Sequence, residues 1–286
     1  MSDRRPSVAV VVPTRDRVES LRRCLRALED QTLRPRQVIV VDDGSTRPEQ
    51  VADAVAETRG GCLVRTAGAG PAAARNAGAR AARASIVCFT DDDCEPAREW
   101  IERLTGPIRS GAPAAAGATV NARPQSPVAA ASQAVTNFAS RATLRASGRI
   151  GFAPTCNVAA GTEVLADVPF DERFPLAAGE DRDWCDRLDE RGLALAFEPA
   201  AVVTHHQRLS LRAFWRQQVA YGRGAYRFRR GRASRRRLEA PAFYLRLVRF
   251  GLRHGALSGL LVVLAQVATA WGFACEALAE RRGTAP

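Results

Sequence analysis

The sequence predicts an α/β protein built on a Rossmann-like, mostly parallel sheet flanked by helices. Three observations carry that reading. Short apolar, β-branched runs alternate with segments of helical periodicity, and polar turns rich in aspartate or glycine follow the carboxyl ends of those runs. The 286 residues, 46% hydrophobic and 25% charged, also suffice for a full buried core. The elements follow in order. SVAVVV (7–12) is a continuous run of the kind found in strands covered on both faces. RVESLRRCLRALEDQ sets Val18, Leu21, Leu25 and Leu28 on one helical face, with Asp16 available as its cap. QVIVVDDGST repeats the pattern of strand then acid, Gly44 marking the turn. A helix over 49–57 and a strand over 62–65 come next. AGAGPAAARNAGARAA then reads as a glycine-rich turn entering a helix whose first position suits Pro71, and 86–90 form the fourth strand.

Charge and composition narrow the function classes. All 42 basic residues are arginine, which excludes a P-loop lysine and lysine Schiff-base chemistry. The excess charge is local: residues 1–200 hold 26 Arg against 27 acidic residues, whereas residues 201–286 hold 16 Arg against 3 Glu. Seven scattered cysteines without a C-x-x-C pair favour reduced thiols in a cytosolic setting over disulfides or a zinc site. The run before Pro13 is too short for a signal peptide.

Three polar clusters occupy equivalent places. Pro13-Thr14-Arg15-Asp16, Asp42-Asp43-Gly44-Ser45 and Asp91-Asp92-Asp93 each follow a strand's carboxyl end, the edge where open α/β sheets bind ligands. Any one of them alone reads equally well as a solvated turn. Adjacent carboxylates beside a buried strand need cations. With Arg98 the nearest arginine along the chain, a divalent metal, Mg²⁺ or Mn²⁺, is the expected partner, itself holding a substrate diphosphate.

The ordered segments VVVPTRDR, VIVVDDGST, GPAAARNAG, IVCFTDDDC and FDERFPLAAGEDRDWCDRL resemble, across residues 7–225, the family two glycosyltransferases, inverting nucleotide-sugar enzymes of the GT-A fold. The resemblance implies a DxD motif in which Asp91 and Asp93 hold the metal, with Asp92 facing the nucleotide ribose or the metal's water shell. It implies that Asp43 reads the base, that Pro13, Thr14 and Arg15 form the loop beneath it, and that Arg75 binds the donor, where its guanidinium would offer paired donors to phosphate. Glu180 and Asp181 match the family's acidic pair: Asp181 as the base that deprotonates the acceptor hydroxyl, Glu180 positioning the acceptor. The other reading of that pair, with Asp183 and Asp186, is the charged face of a helix. Asn157 matches a position near the acceptor, and Trp184 lines the acceptor site or belongs to the core. His205, favoured over His206 by alternation with Val203, is a further metal ligand or a structural histidine. The implied organisation is a GT-A domain over 1–225, nucleotide-sugar-binding over 1–115 and acceptor-binding over 116–225, followed by a basic, apolar helical region over 226–286.

The stretch that runs into that last region, FWRQQVAYGRGAYRFRRGRASRRR (214–237), resembles a nucleic-acid binder in its arginines and aromatics. The 21 uncharged residues 255–275, flanked by Arg249, Arg253, Arg281 and Arg282, instead suit an anionic membrane surface, as a span or as a helix lying in the interface. The expectation is therefore a protein at the cytoplasmic face of the membrane, using a nucleotide-diphosphate sugar and a hydroxyl acceptor, lipid-linked or glycan, with no nucleic acid. YGRG departs from the Q-x-x-R-W signature of processive synthases, which favours transfer of one sugar. A haloacid-dehalogenase phosphatase fails because Val41 would stand at the nucleophile, and a dinucleotide-binding dehydrogenase fails for want of G-x-G-x-x-G after the first strand. The rival that stays open is a non-catalytic membrane or polyanion adaptor on an inactive transferase scaffold.

Overall fold

The computed structural model describes residues 6–174, 178–230 and 239–282. Its first half follows the sequence pattern closely. Strand β1 (Val8–Thr14) lies between β2 (Gln37–Asp43) and β4 (Ile86–Phe89), with β3 (Gly61–Thr66) outside β2, and all of these pairings are parallel. Parallel strands end on one edge, so the turns after β1, β2 and β4 meet there. Helix α1 (Val18–Glu29) buries Leu21, Leu25 and Leu28, each contributing roughly 1.5–3 kcal/mol by leaving water. Together with α2 (Pro48–Ala56) and α4 (Trp100–Arg109) it covers one sheet face. Helix α3 (Pro71–Ala81) covers the other, with α6 (Thr162–Asp167) and α7 (Glu180–Glu190). Asp16 does not cap α1: it sits at φ +56°, and its carboxylate accepts from the Thr46 N–H and hydroxyl.

Beyond Asp91 the sheet changes character. The strand order is β3-β2-β1-β4-β8-β6-β9-β5, with β7 (Arg149–Ile150) paired to β9. Strand β8 (Val158–Gly161) enters antiparallel between β4 and β6 (Ala114–Asn121), while β9 (Leu195–His205) runs parallel to β6 and antiparallel to β5 (Cys94–Pro96) and β7. The mostly parallel expectation thus describes the nucleotide half and not the second half, where the strict βα alternation stops.

Helices α5 (Pro127–Arg141), α8 (Leu211–Arg230), α9 (Pro241–Leu252) and α10 (Ala256–Arg281) form a third layer around Ala131, Ala134, Phe214, Leu247, Leu261, Val262 and Ala265. A boundary at 225/226 would fall inside α8, and α5 belongs to this bundle despite its place in mid-chain. The YGRG stretch explains the closeness of the packing. A Cβ on Gly222 would come within 2.0 Å of the Thr269 carbonyl oxygen of α10, and one on Gly224 within 2.2 Å of that of Ala178, just ahead of α7. Helix α8 is therefore wedged between α10 and the segment that carries Glu180 and Asp181. Arg232, Arg235, Arg236 and Arg237 of the basic stretch lie outside the described residues.

Candidate active site

The loops at the carboxyl edge are laced together before any ligand is considered. Thr14, buried at the end of β1, donates its hydroxyl to Asp92 Oδ2 at 2.7 Å. Asp43, at the end of β2, accepts from the Thr66 hydroxyl (2.6 Å) and from the N–H groups of Ala69 and Gly70 (both 2.9 Å), so its carboxylate shapes the glycine-rich turn into α3. Gly68, at φ +75°, faces the guanidinium of exposed Arg15. Arg15 and Asp43 therefore meet at the glycine-rich turn into α3, while Thr14, beside Pro13 at the end of β1, turns to Asp92.

The aspartate triplet is not short of cations. Arg17 reaches Asp92 and Asp93, both at 2.8 Å, and Arg75, only 4% exposed, holds Asp91 at 2.9 Å and Glu180 at 3.1 Å. The expectation that a metal alone must neutralise the run is corrected: two arginines distant in sequence from their partners do so already. Asp92 is fully buried. Burial lifts its carboxyl to about 7 against the pull of Arg17, with Asp93 adding to the rise. It holds Thr14 and Arg17 inside the protein, which corrects the expectation that it faces the nucleotide ribose or the metal's water shell. Arg17 was invisible to sequence reading, because no local signal ties it to residues 75 positions away.

Asp93 faces His205, whose Nε2 lies 3.3 Å from its Oδ1. Burial opposes both charges, yet the hydrogen bond and charge of His205, aided by Arg17, hold Asp93 down at about 2, and the Asp93 carboxylate holds His205 up at about 9. A chain of amides fixes the ring. Asn137 donates to the Thr119 carbonyl (3.0 Å), so its oxygen accepts from Gln133 Nε2 (2.9 Å). The Gln133 oxygen is left to accept from His205 Nδ1 (3.1 Å). That polarity keeps the proton on Nδ1 and turns Nε2 towards Asp93. Ligand atoms of Asp93, Cys94 and His205 lie within 4.8 Å of one another. An Asp93 oxygen suits either Mn²⁺ or Mg²⁺, and the His205 nitrogen favours Mn²⁺ of the two. Cys94 does not, since burial raises its thiol well above its ordinary value and keeps it protonated. Asp91 lies outside this group, its oxygen on Arg75.

Glu180 and Asp181 open α7 beyond Gly179, which takes φ +97°. Both carboxyls are raised above their ordinary values, chiefly by burial, Asp181 adding to the rise of Glu180 and Arg75 opposing it in both. A cavity of about 330 Å³ joins Arg75, Asp91, Glu180, Asp181 and His205 and continues between α5, α8 and α9. Tyr221 lines it beside the acidic pair, unforeseen from sequence.

Two expected acceptor residues fall elsewhere. Asn157, fully buried, accepts from Trp100 Nε1 (2.8 Å) and donates to the carbonyls of Ala118 and Ala201 (both 2.9 Å), which ties α4, β6 and β9 together. Trp184, also fully buried, donates to the Val168 carbonyl and stacks on Phe170. Both are core residues and cannot meet an acceptor.

Comparison with known proteins accords with this geometry. The model of glycosyl transferase family 2 matches residues 9–159. A pre-mycofactocin glycosyltransferase of Mycobacterium tuberculosis is 33% identical over 225 residues, 76% of this chain but 46% of that protein, so the chain spans about half its length. Glycosyltransferase AglE of Haloferax volcanii is 28% identical over 86% of the chain and 82% of its own. Among solved structures, a mannosyltransferase from Pyrobaculum calidifontis, in complex with GDP-Man and Mn²⁺, superposes with a TM-score of 0.61 at 22% identity, covering 97% of this chain and 76% of that one. Glucosyl-3-phosphoglycerate synthase of M. tuberculosis, in complex with Mn²⁺, UDP and glucosyl-3-phosphoglycerate, superposes at 0.56 and 20% identity, covering 79% of each chain. The sheet and its flanking helices have the GT-A fold, and the chain belongs to glycosyl transferase family 2.

Proposed function

We propose that the protein is an inverting glycosyltransferase that moves one sugar from a nucleotide-diphosphate sugar to an acceptor hydroxyl, with Asp181 as the base. The observation that carries this reading is the single cavity in which Glu180 and Asp181 face Asp91, Arg75 and His205. A carboxylate whose proton affinity burial has raised is a better base for a hydroxyl than an exposed one. As Asp181 takes the acceptor proton, the acceptor oxygen bonds to the anomeric carbon from the face opposite the diphosphate, which leaves with the bonding electrons. Glu180, held by Arg75, orients the acceptor. Pro13, Thr14, Arg15 and Asp43 cradle the nucleotide. Asp93 and His205 would hold Mn²⁺ or Mg²⁺, which supplies positive charge to the leaving diphosphate. Asp91 would join them as the phosphates draw on Arg75. The Mn²⁺ held by the two similar structures above supports this choice of metal by analogy. Asp181→Asn tests the assignment: donor affinity should stay within about twofold while turnover falls by the 10²–10⁴ typical of a lost base. Undiminished turnover would remove Asp181 from the role.

A second feature favours work at a membrane surface. An 18-residue window of helix α10 has a mean hydropathy of 1.7, and the helix buries one side against the bundle, where Glu276 pairs with Arg227 at 2.6 Å. Its other side leaves Leu257, Leu260, Val263, Val267 and Trp271 exposed, beside Leu245 and Leu252 of α9 and the exposed Arg246, Arg249 and Arg253. A helix with 39% of its apolar window already buried by protein suits an interfacial position better than a span. Flotation with anionic vesicles should carry the intact chain and lose Leu260→Glu/Trp271→Glu. Equal flotation of both would exclude this face.

A further inference from the structure

The cavity that begins at the acidic pair becomes mainly apolar between α8 and α9, although Arg229, Glu239 and Gln266 also line it. Past Asp181 and Arg182 it is walled by Phe152, Tyr221, Phe228, Phe243, Tyr244 and Leu247, which come from the catalytic half and from α8 and α9. Arg182 lies over the Phe152 ring at 4.9 Å, marking the junction between the charged and apolar ends. Phe243 and Tyr244 meet edge to face, and Phe243 meets Phe138 of α5 in the same way, so the apolar end is a built wall and not a chance gap between helices. An acceptor that offered only a polar glycan would leave this wall solvated beside a hydroxyl-binding site. We infer that the acceptor bears an apolar group next to the hydroxyl that receives the sugar, and that α8 and α9 form the pocket for that group.

The inference rests on the transferase reading for which end holds the hydroxyl. It also gives the C-terminal helices a second role, since they complete the acceptor site as well as facing the membrane. An alkyl or isoprenoid chain and a flat aromatic aglycone share the required chemistry, and both can be tried.

The test uses the full chain and needs no knowledge of the donor. Methyl, hexyl, octyl and phenyl β-glucosides, below their micellar concentrations, are titrated by calorimetry into the wild type and into Ala225→Phe, which projects a ring into the cavity from α8. Nucleoside diphosphate with Mn²⁺ is titrated in parallel. Saturable binding should appear for the longer or aromatic probes and not for methyl glucoside. Hexyl to octyl should tighten it about tenfold, as two buried methylenes require. Ala225→Phe should weaken it at least tenfold with nucleotide affinity unchanged. A preference for octyl over phenyl indicates a lipid-borne acceptor, and the reverse a free aromatic one. Affinity independent of chain length, or undiminished in Ala225→Phe, would overturn the inference, the second result placing the probes on the outer face of α10. Absence of nucleotide binding in the wild type with probe binding intact would instead count against the transferase reading.

Discussion

Replacing Arg75 with methionine removes the one cation that, among the described residues, Glu180 and Asp91 share inside the protein. Arg75 and Glu180 are 4% and 5% exposed, so neither can turn to water, whereas Asp91, 27% exposed, can recover part of its hydration. Breaking a buried pair from one side costs about 3–5 kcal/mol. The lower end, about 3 kcal/mol, is expected at pH 8, because the Asp91 contribution is discounted for solvent. The sign of the pH dependence follows from Glu180. Its folded-state carboxyl already lies above its ordinary value through burial and Asp181, and Arg75 works against that rise. Without Arg75 the folded protein holds the proton still more tightly. An acid raised in the folded state contributes stability that is present below its unfolded value and lost as pH rises through the folded one. The deficit of Arg75→Met should therefore be large at pH 8 and shrink towards pH 5.5. Urea unfolding of variant and wild type at both pH values measures it. A deficit below about 1 kcal/mol at pH 8, or one equal at both pH values, would refute the bridging role.

Three further outcomes follow from the same packing. Since His205 is protonated up to about pH 9 and ligates only when Nε2 is free, Mn²⁺ binding should expel close to one proton at pH 7 and tighten as pH rises to 9. Gln133→Leu, which unfixes the ring, should weaken Mn²⁺ by about 10–100-fold. Calorimetry in buffers of different ionisation enthalpy reads both, and zero proton release would rule His205 out as a ligand. Asn157→Ala strands the Trp100 N–H and two carbonyls, at about 1–3 kcal/mol for each unmet group and about 3–9 kcal/mol in all. A loss under about 1 kcal/mol with a raised acceptor KM would restore Asn157 to the acceptor site.

Much of the nucleotide half was legible because its signals are local. Val8 to Phe89 alternate apolar runs with amphipathic helices at the right spacing, and the acids at the strand ends share an edge by topology alone. Other features depend on contacts far apart in sequence. Nothing near Asp92 announces Arg17, and the alanine-rich β6 and β8 carry too little side-chain pattern to reveal an antiparallel insertion. Asn157 and Trp184 show why a polar or aromatic residue in a family motif is a poor guide to exposure: each spends its polar atoms on backbone or core partners. Helix α10 reads as a membrane segment from its composition, yet the glycines that seat it against α8 and α9 keep one side of it interior.

Calorimetric titration of the intact protein with UDP, GDP, dTDP, CDP and ADP, each with and without Mn²⁺, tests donor binding and the metal together. A glycosyltransferase using Asp93 and His205 for the metal should bind one of the five selectively, at least tenfold tighter with Mn²⁺, and lose that gain in Asp93→Ala. Folded protein that binds none of them, or binds one equally well without metal and in Asp93→Ala, would contradict the proposed function and leave an inactive scaffold whose basic C-terminal region carries the function.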